Sequence, residues 1–177
     1  MSSSLVAVPL DYVSDVVMDV VNYDDLAQGG IVVGEQGVIL LPGAEGVAIN
    51  NGLIAADGGA GLDGGLVRVQ GTESAILTEG SRISATGEQG ETVEVLGDKV
   101  GLFGADIDVS GNAGGGTALI GGDYQGKGTV PNASRTYVSA DSVIRADATD
   151  SGDGGTVIVW SDEITRFFGT ISAHGGA

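Results

Sequence analysis

The side chains that could do chemistry in this chain are mostly carboxylates, with a few arginines and one histidine. Asp57 and Asp63 flank one glycine turn, and Asp147, Asp150 and Asp153 flank another. Asp106 and Asp108 stand two apart on a strand-like run. Oxygen donors stacked in a column could hold Ca²⁺, a hard cation. Paired carboxylates can instead share general acid–base work, provided their separation is right. Arg68, Arg82 and Arg145 would then supply the cations of an enzyme acting on acidic polysaccharide. His174 would have to be the base of any Ser-His-Asp hydrolase, yet no nucleophile elbow accompanies it. Turn-forming acids and a solvent-facing turn histidine account for the same residues more simply. No catalytic, cofactor-binding or metal-ligating residue is assigned on sequence.

These residues sit in a repeat, which dictates how they are positioned. A unit of form Ile-x-(Ala/Val)-x-Gly recurs as Ile54-Ala-Ala-Asp-Gly58, Ile83-Ser-Ala-Thr-Gly87, Ile107-Asp-Val-Ser-Gly111, Ile144-Arg-Ala-Asp-Ala148 and Ile171-Ser-Ala-His-Gly175. First and third positions are apolar, and the fourth is Asp57, Thr86, Ser110, Asp147 or His174. Alternation with period two marks a short strand with one buried face. A second strand type follows each of the first four units: Leu66-Val-Arg-Val69, Thr92-Val-Glu-Val95, Thr117-Ala-Leu-Ile120 and Thr156-Val-Ile-Val159. The wide interval before the last of these holds an inserted loop, residues 121–137, bordered by Tyr124 and Tyr137. Loops carried on a rigid scaffold are where recognition concentrates, so this loop is the expected binding element. Trp160, Phe167 and Phe168 cluster near the C-terminal coils as core, as a cap, or as a sugar-stacking patch.

Short strands recurring at this period predict an all-β fold, a right-handed parallel β-helix. No coil buries its apolar side chains alone, and stacking closes a continuous core. Residues 1–10 read as a strand or linker. Residues 11–28 read as a short amphipathic helix, with Val13, Val16, Val17, Val20 and Val21 on one face. Residues 29–177 are the coils, seven at most, in a rod on the order of 30 Å long.

Composition agrees. Glycine supplies 33 of 177 residues without a collagen period, and aromatics only 5%. The net charge of −17 argues against nucleic acid and anionic lipid as partners, since both need clustered cations. Without cysteine there is no disulfide framework or thiol nucleophile. No apolar run is long enough to cross a membrane as a helix. Gly58-Gly-Ala-Gly-Leu-Asp-Gly-Gly-Leu66 superficially resembles the calcium-binding nonapeptide of β-roll toxins, but it occurs once and its hydrophobic position is out of register.

Beyond the repeat, particular runs resemble a family. Gly115-Gly-Thr-Ala-Leu-Ile-Gly-Gly-Asp-Tyr-Gln-Gly-Lys-Gly-Thr-Val-Pro-Asn-Ala133 is similar to filamentous-haemagglutinin-like exoproteins. So are Gly154-Gly-Thr-Val-Ile-Val-Trp-Ser-Asp162 and Thr165-Arg-Phe-Phe-Gly-Thr-Ile-Ser-Ala173. The resemblance covers about residues 10–177, and Gly121-Gly-Asp-Tyr-Gln-Gly126 is its most specific part. It implies a large bacterial surface adhesin delivered by two-partner secretion. This stretch would be an internal shaft segment with no catalytic residue and no cofactor beyond a weakly expected Ca²⁺. Host or neighbouring-cell glycans or proteins would then be bound by other domains. The C-terminal coil is expected to be open, with end-to-end self-association as a consequence. The alternatives are a carbohydrate-active enzyme or carbohydrate-binding module, and a Ca²⁺-stabilised solenoid.

Overall fold

The computed structural model describes residues 31–33, 38–42 and 46–177, with side chains from residue 46 onward. The expected segments 1–10 and 11–28 lie outside the described residues. Everything described is strand or turn except a single 3-10 turn, Tyr124–Gly126.

Three parallel sheets run the length of the molecule, one on each face of a solenoid. Ile31–Val33 and the five Ile-centred units form the repeat face, the latter as Leu53–Ala55, Arg82–Ser84, Asp106–Asp108, Val143–Arg145 and Thr170–Ser172. The second strand type forms the partner face: Val38–Pro42, Leu66–Gln70, Thr92–Leu96, Thr117–Ile120 and Thr156–Val159. A third face is built from Val47–Asn50, Ser74–Leu77, Lys99–Leu102, Arg135–Val138 and Ile164–Phe167. The chain visits the three faces in turn. The described residues thus make five full coils, and the last repeat-face strand opens a sixth. At about 4.8 Å per coil this is a rod of roughly 24 Å.

Two strand types per coil are expected from the sequence, and the third face corrects that reading. The loop bounds are corrected too. Arg135–Val138 is a third-face strand, so the insertion ends at residue 134 and Tyr137 belongs to the sheet. Elsewhere two to four residues, such as 71–73, 97–98 or 160–163, bridge the same two faces.

Register is strict from coil to coil. Ile54, Ile83, Ile107, Ile144 and Ile171 stand in one column. The first four are fully buried and Ile171, at the last coil, is 42% exposed. Burying such a side chain stabilises by about 1.5–3 kcal/mol, and each gains that only when a coil covers it. Val67, Val93 and Ala118 on the partner face, and Leu77, Leu102 and Val138 on the third, fill the rest of the core. The third positions, Ala56, Ala85, Val109 and Ala146, are also inside. They stay small or β-branched because three walls converge on a narrow interior.

Backbone bonds repeat with the coils. The N–H groups of Ala56, Ala85, Val109 and Ala146 donate to the carbonyls of Ser84, Asp108, Arg145 and Ser172, at 2.8–2.9 Å. At the next corner glycine is required by crowding. A Cβ on Gly90 would lie 1.9 Å from the Val109 carbonyl oxygen.

Candidate functional site

Period-two alternation sends the even positions of each repeat unit outward, so their side chains stack along the outside of the rod. Asp57 is the first example. Its Oδ1 accepts from the N–H and the hydroxyl of Thr86, both at 2.9 Å, and its Oδ2 accepts from Ser84 Oγ at 2.8 Å. One carboxylate therefore clamps positions two and four of the next coil. Asp147 repeats the arrangement, accepting from Ser172 Oγ at 2.6 Å and from the His174 N–H at 2.7 Å. Asp63 Oδ1 accepts the Gln89 N–H at 3.0 Å. These oxygens face donors of the neighbouring coil. Asp150 and Asp153 lie on the exposed rim of their turn. Among the described residues no three carboxylates or histidines are placed to share a metal ion. Of the acids considered for Ca²⁺, Asp57, Asp63 and Asp147 are coil-to-coil clamps.

The arginines divide between faces. Arg68 lies on the partner face in register with Glu94, whose carboxylate it bonds through Nε. Glu94 is 5% exposed, and a buried carboxylate needs such a partner. On the repeat face the structure does gather Arg82, Asp106, Asp108 and Arg145 in adjacent coils. Arg145 bridges both acids, bonding Asp106 through Nη2 and Asp108 through Nε, the latter at 3.2 Å. The hydrogen bond that Arg145 donates to Asp106 holds the guanidinium above its usual range, against the opposing effect of burial. Two carboxylates bridged by one cation are a strap between coils.

His174 sits beside a serine and an aspartate, yet in the wrong geometry for a relay. Ser172 Oγ lies 2.8 Å and Asp147 Oδ1 3.3 Å from the same ring nitrogen, Nδ1. A triad needs them on opposite nitrogens. The imidazole is 84% exposed, as expected of a turn residue.

The three C-terminal aromatics occupy three environments. Phe167 packs against the core. Trp160 donates through Nε1 to Asp162 Oδ1 at 3.0 Å and lies along the inserted loop, close to Gly122 and Gly126. Asn132 fastens that loop, donating to the Gly126 carbonyl at 3.1 Å and to Asp162 Oδ1 at 3.2 Å. Phe168 is 59% exposed and stands beside another feature altogether.

That feature is a groove of about 410 Å³ on the outside of the third face. Register places Ile76, Gly101, Tyr137 and Arg166 in one outward column, and Ser74, Lys99, Arg135 and Ile164 in the next. Gly101 leaves a gap in its column. The Phe103 ring leans over that gap, 2.6 Å from where a Cβ would stand. Phe103 stacks on Tyr137, with ring centroids 5.3 Å apart and planes at 28°. Tyr137 meets Phe168 at 5.9 Å and 54°. Nothing in any one segment announces this groove. In the sequence Tyr137 stands out only as a loop border, and Phe168 only as part of a C-terminal cluster.

Fold and surface together define a parallel β-solenoid whose coils are tied by side-chain clamps. No protein-family profile matches the chain, and no curated protein matches it. Among solved structures it is similar to the HMW1 secretion domain from Haemophilus influenzae, with 28% identity and a TM-score of 0.49. That likeness covers 84% of this chain and 41% of the other, so this chain spans less than half of that one.

Proposed function

We propose that this stretch is a structural shaft segment of a secreted bacterial surface adhesin, holding binding domains away from the cell. The observation that carries the reading is the coil-to-coil register. Five coils repeat one three-faced plan, and Asp57, Glu94, Asp106, Asp108, Arg145 and Asp147 on the repeat and partner faces bond to a neighbouring coil. Ladders on three sides of a narrow core resist bending in every direction, which is what a spacer needs. The resemblance of residues 115–133 and 154–173 to haemagglutinin-like exoproteins supports the adhesin context, secretion and surface placement.

A spacer tolerates loss of a whole unit. Arg82 stands in register with Leu53, so excising residues 53–81 from the secreted protein joins equivalent positions. The rod should shorten by about 4.8 Å, with a strand-dominated circular dichroism spectrum and surface display both retained. Loss of display on excision would overturn the reading. So would turnover of a uronate polymer that disappears in Asp106→Asn.

A further inference from the structure

The third face carries a feature that a spacer does not require. Three of the seven basic residues in a chain of net charge −17, Lys99, Arg135 and Arg166, line one groove. All three are exposed. Arg135 has a loose pair with Glu163 at 3.6 Å, both side chains being 60% exposed or more, and such pairs are weak. Among the described residues Lys99 and Arg166 make no ion pair. Beside these cations Phe103, Tyr137 and Phe168 climb one coil at a time, and Phe103 and Phe168 are 46% and 59% exposed.

We infer that this groove binds a short acidic oligosaccharide, a uronate-type sugar chain lying along the coil axis. Pyranose rings present flat C–H faces that stack on aromatic rings. Phe103, Tyr137 and Phe168 lie on successive coils, with centroids 5.3 and 5.9 Å apart, so a chain lying along the coil axis passes each of them in turn. Lys99, Arg135 and Arg166 take its carboxylates, and arginine can do so with two parallel N–H bonds. The Phe103 ring lies over Gly101 and lines the groove there.

Charge and backbone select this occupant over others. A long polyanion would meet the field of the whole acidic chain, whereas a trisaccharide feels mainly what lies within a Debye length of about 8 Å. An acidic peptide binding as an added strand needs a free sheet edge. Here the strands on both sides of Lys99–Leu102 and Arg135–Val138 are paired.

The test is titration of the whole chain with a galacturonate trisaccharide, followed by calorimetry and saturation-transfer NMR. The neutral galactose trisaccharide and a glutamate tripeptide serve as comparison ligands. The galacturonate should bind, and the other two at least about tenfold more weakly, the worth of one charge-assisted hydrogen bond or one stacked ring. Tyr137→Ala and Arg166→Gln should each weaken it by a similar factor, while Arg82→Ala, on the repeat face, should not. Circular dichroism checks folding, and Arg166→Gln, fully on the surface, serves if Tyr137→Ala does not fold. No galacturonate binding, equal binding of either comparison ligand, or equal loss in Arg82→Ala would overturn the inference. None of these outcomes bears on the shaft reading, which rests on register and excision.

Discussion

On the repeat face outward acids bond to a neighbouring coil; on the third face the outward side chains line an open groove. Asp57, Asp147 and Arg145 each reach residues of a neighbouring coil. Ile76, Tyr137 and Arg166 occupy the corresponding outward positions of the third face, and the contact between Tyr137 and Phe168 is aromatic rather than hydrogen-bonded. Inside, the two faces are alike. The difference teaches that a solenoid can separate tasks by side-chain parity. Inward residues of every face hold the coil, outward residues of one face hold the stack, and outward residues of another are left for a ligand.

The largest effects should come from the shared interior, where the comparison ought to vanish. Ile107→Ala on the repeat face and Leu102→Ala on the third remove fully buried side chains. Each should cost about 2–5 kcal/mol in denaturant unfolding, because the lost transfer energy is joined by a cavity term. Ile171→Ala should cost clearly less, since that side chain is 42% exposed at the last coil. If the two interior variants differed by more than Ile107→Ala and Ile171→Ala do, the faces would not share one core.

Outward substitutions should separate the faces. Asp57→Ala removes an acceptor of three hydrogen bonds to the next coil. It leaves the Thr86 N–H without that partner, and a loss of about 1–3 kcal/mol is expected. Lys99→Ala and Arg166→Ala touch exposed cations of the third face and should stay within about 0.5 kcal/mol of the parent. Urea midpoints measured side by side decide it. Equal destabilisation on both faces would erase the distinction.

Side-chain parity also governs how much of the molecule is legible in its sequence. The repeat face is readable because Ile stands at every first position and a small apolar residue at every third. The partner face is readable from its Val-rich runs. The third face is not, because no position holds one residue throughout Ser74-Ala-Ile-Leu77, Lys99-Val-Gly-Leu102, Arg135-Thr-Tyr-Val138 and Ile164-Thr-Arg-Phe167. Its outward positions are free to vary, and the inward fourth position is Asn50 in the first strand and apolar in the other four. The clamps are half legible. Asp57 and Asp147 stand out, but as candidate metal ligands. Their partners, Ser84 with Thr86 and Ser172 with His174, lie at positions two and four of the following unit. Only stacking in register makes that offset a bond. The groove is illegible for the same reason: Ile76, Gly101, Tyr137 and Arg166 come from four coils.

The smallest effect probes how a clamp depends on charge. Burial is the largest single influence on the Asp147 carboxyl and favours its neutral form. Hydrogen bonds from Ser172 and the His174 N–H, with the charge and hydrogen bond of the imidazole, together outweigh it, so Asp147 ionises below the ordinary 3.8. A carboxyl that ionises more easily folded than unfolded stabilises the fold when ionised. That contribution is complete above the ordinary carboxylate value and drains as pH falls through the lower, folded one. Ser172→Ala removes one of the bonds that lower it. The parent should therefore exceed Ser172→Ala in stability by no more than about 1 kcal/mol at neutral pH, since the site is at the rod's edge and partly solvated. Thermal melts at descending pH should show this gap closing below the ordinary carboxylate value. A gap that persists unchanged to about pH 2 would mean that Ser172 holds the coil as a neutral hydroxyl, and that the clamp does not depend on the acid's charge.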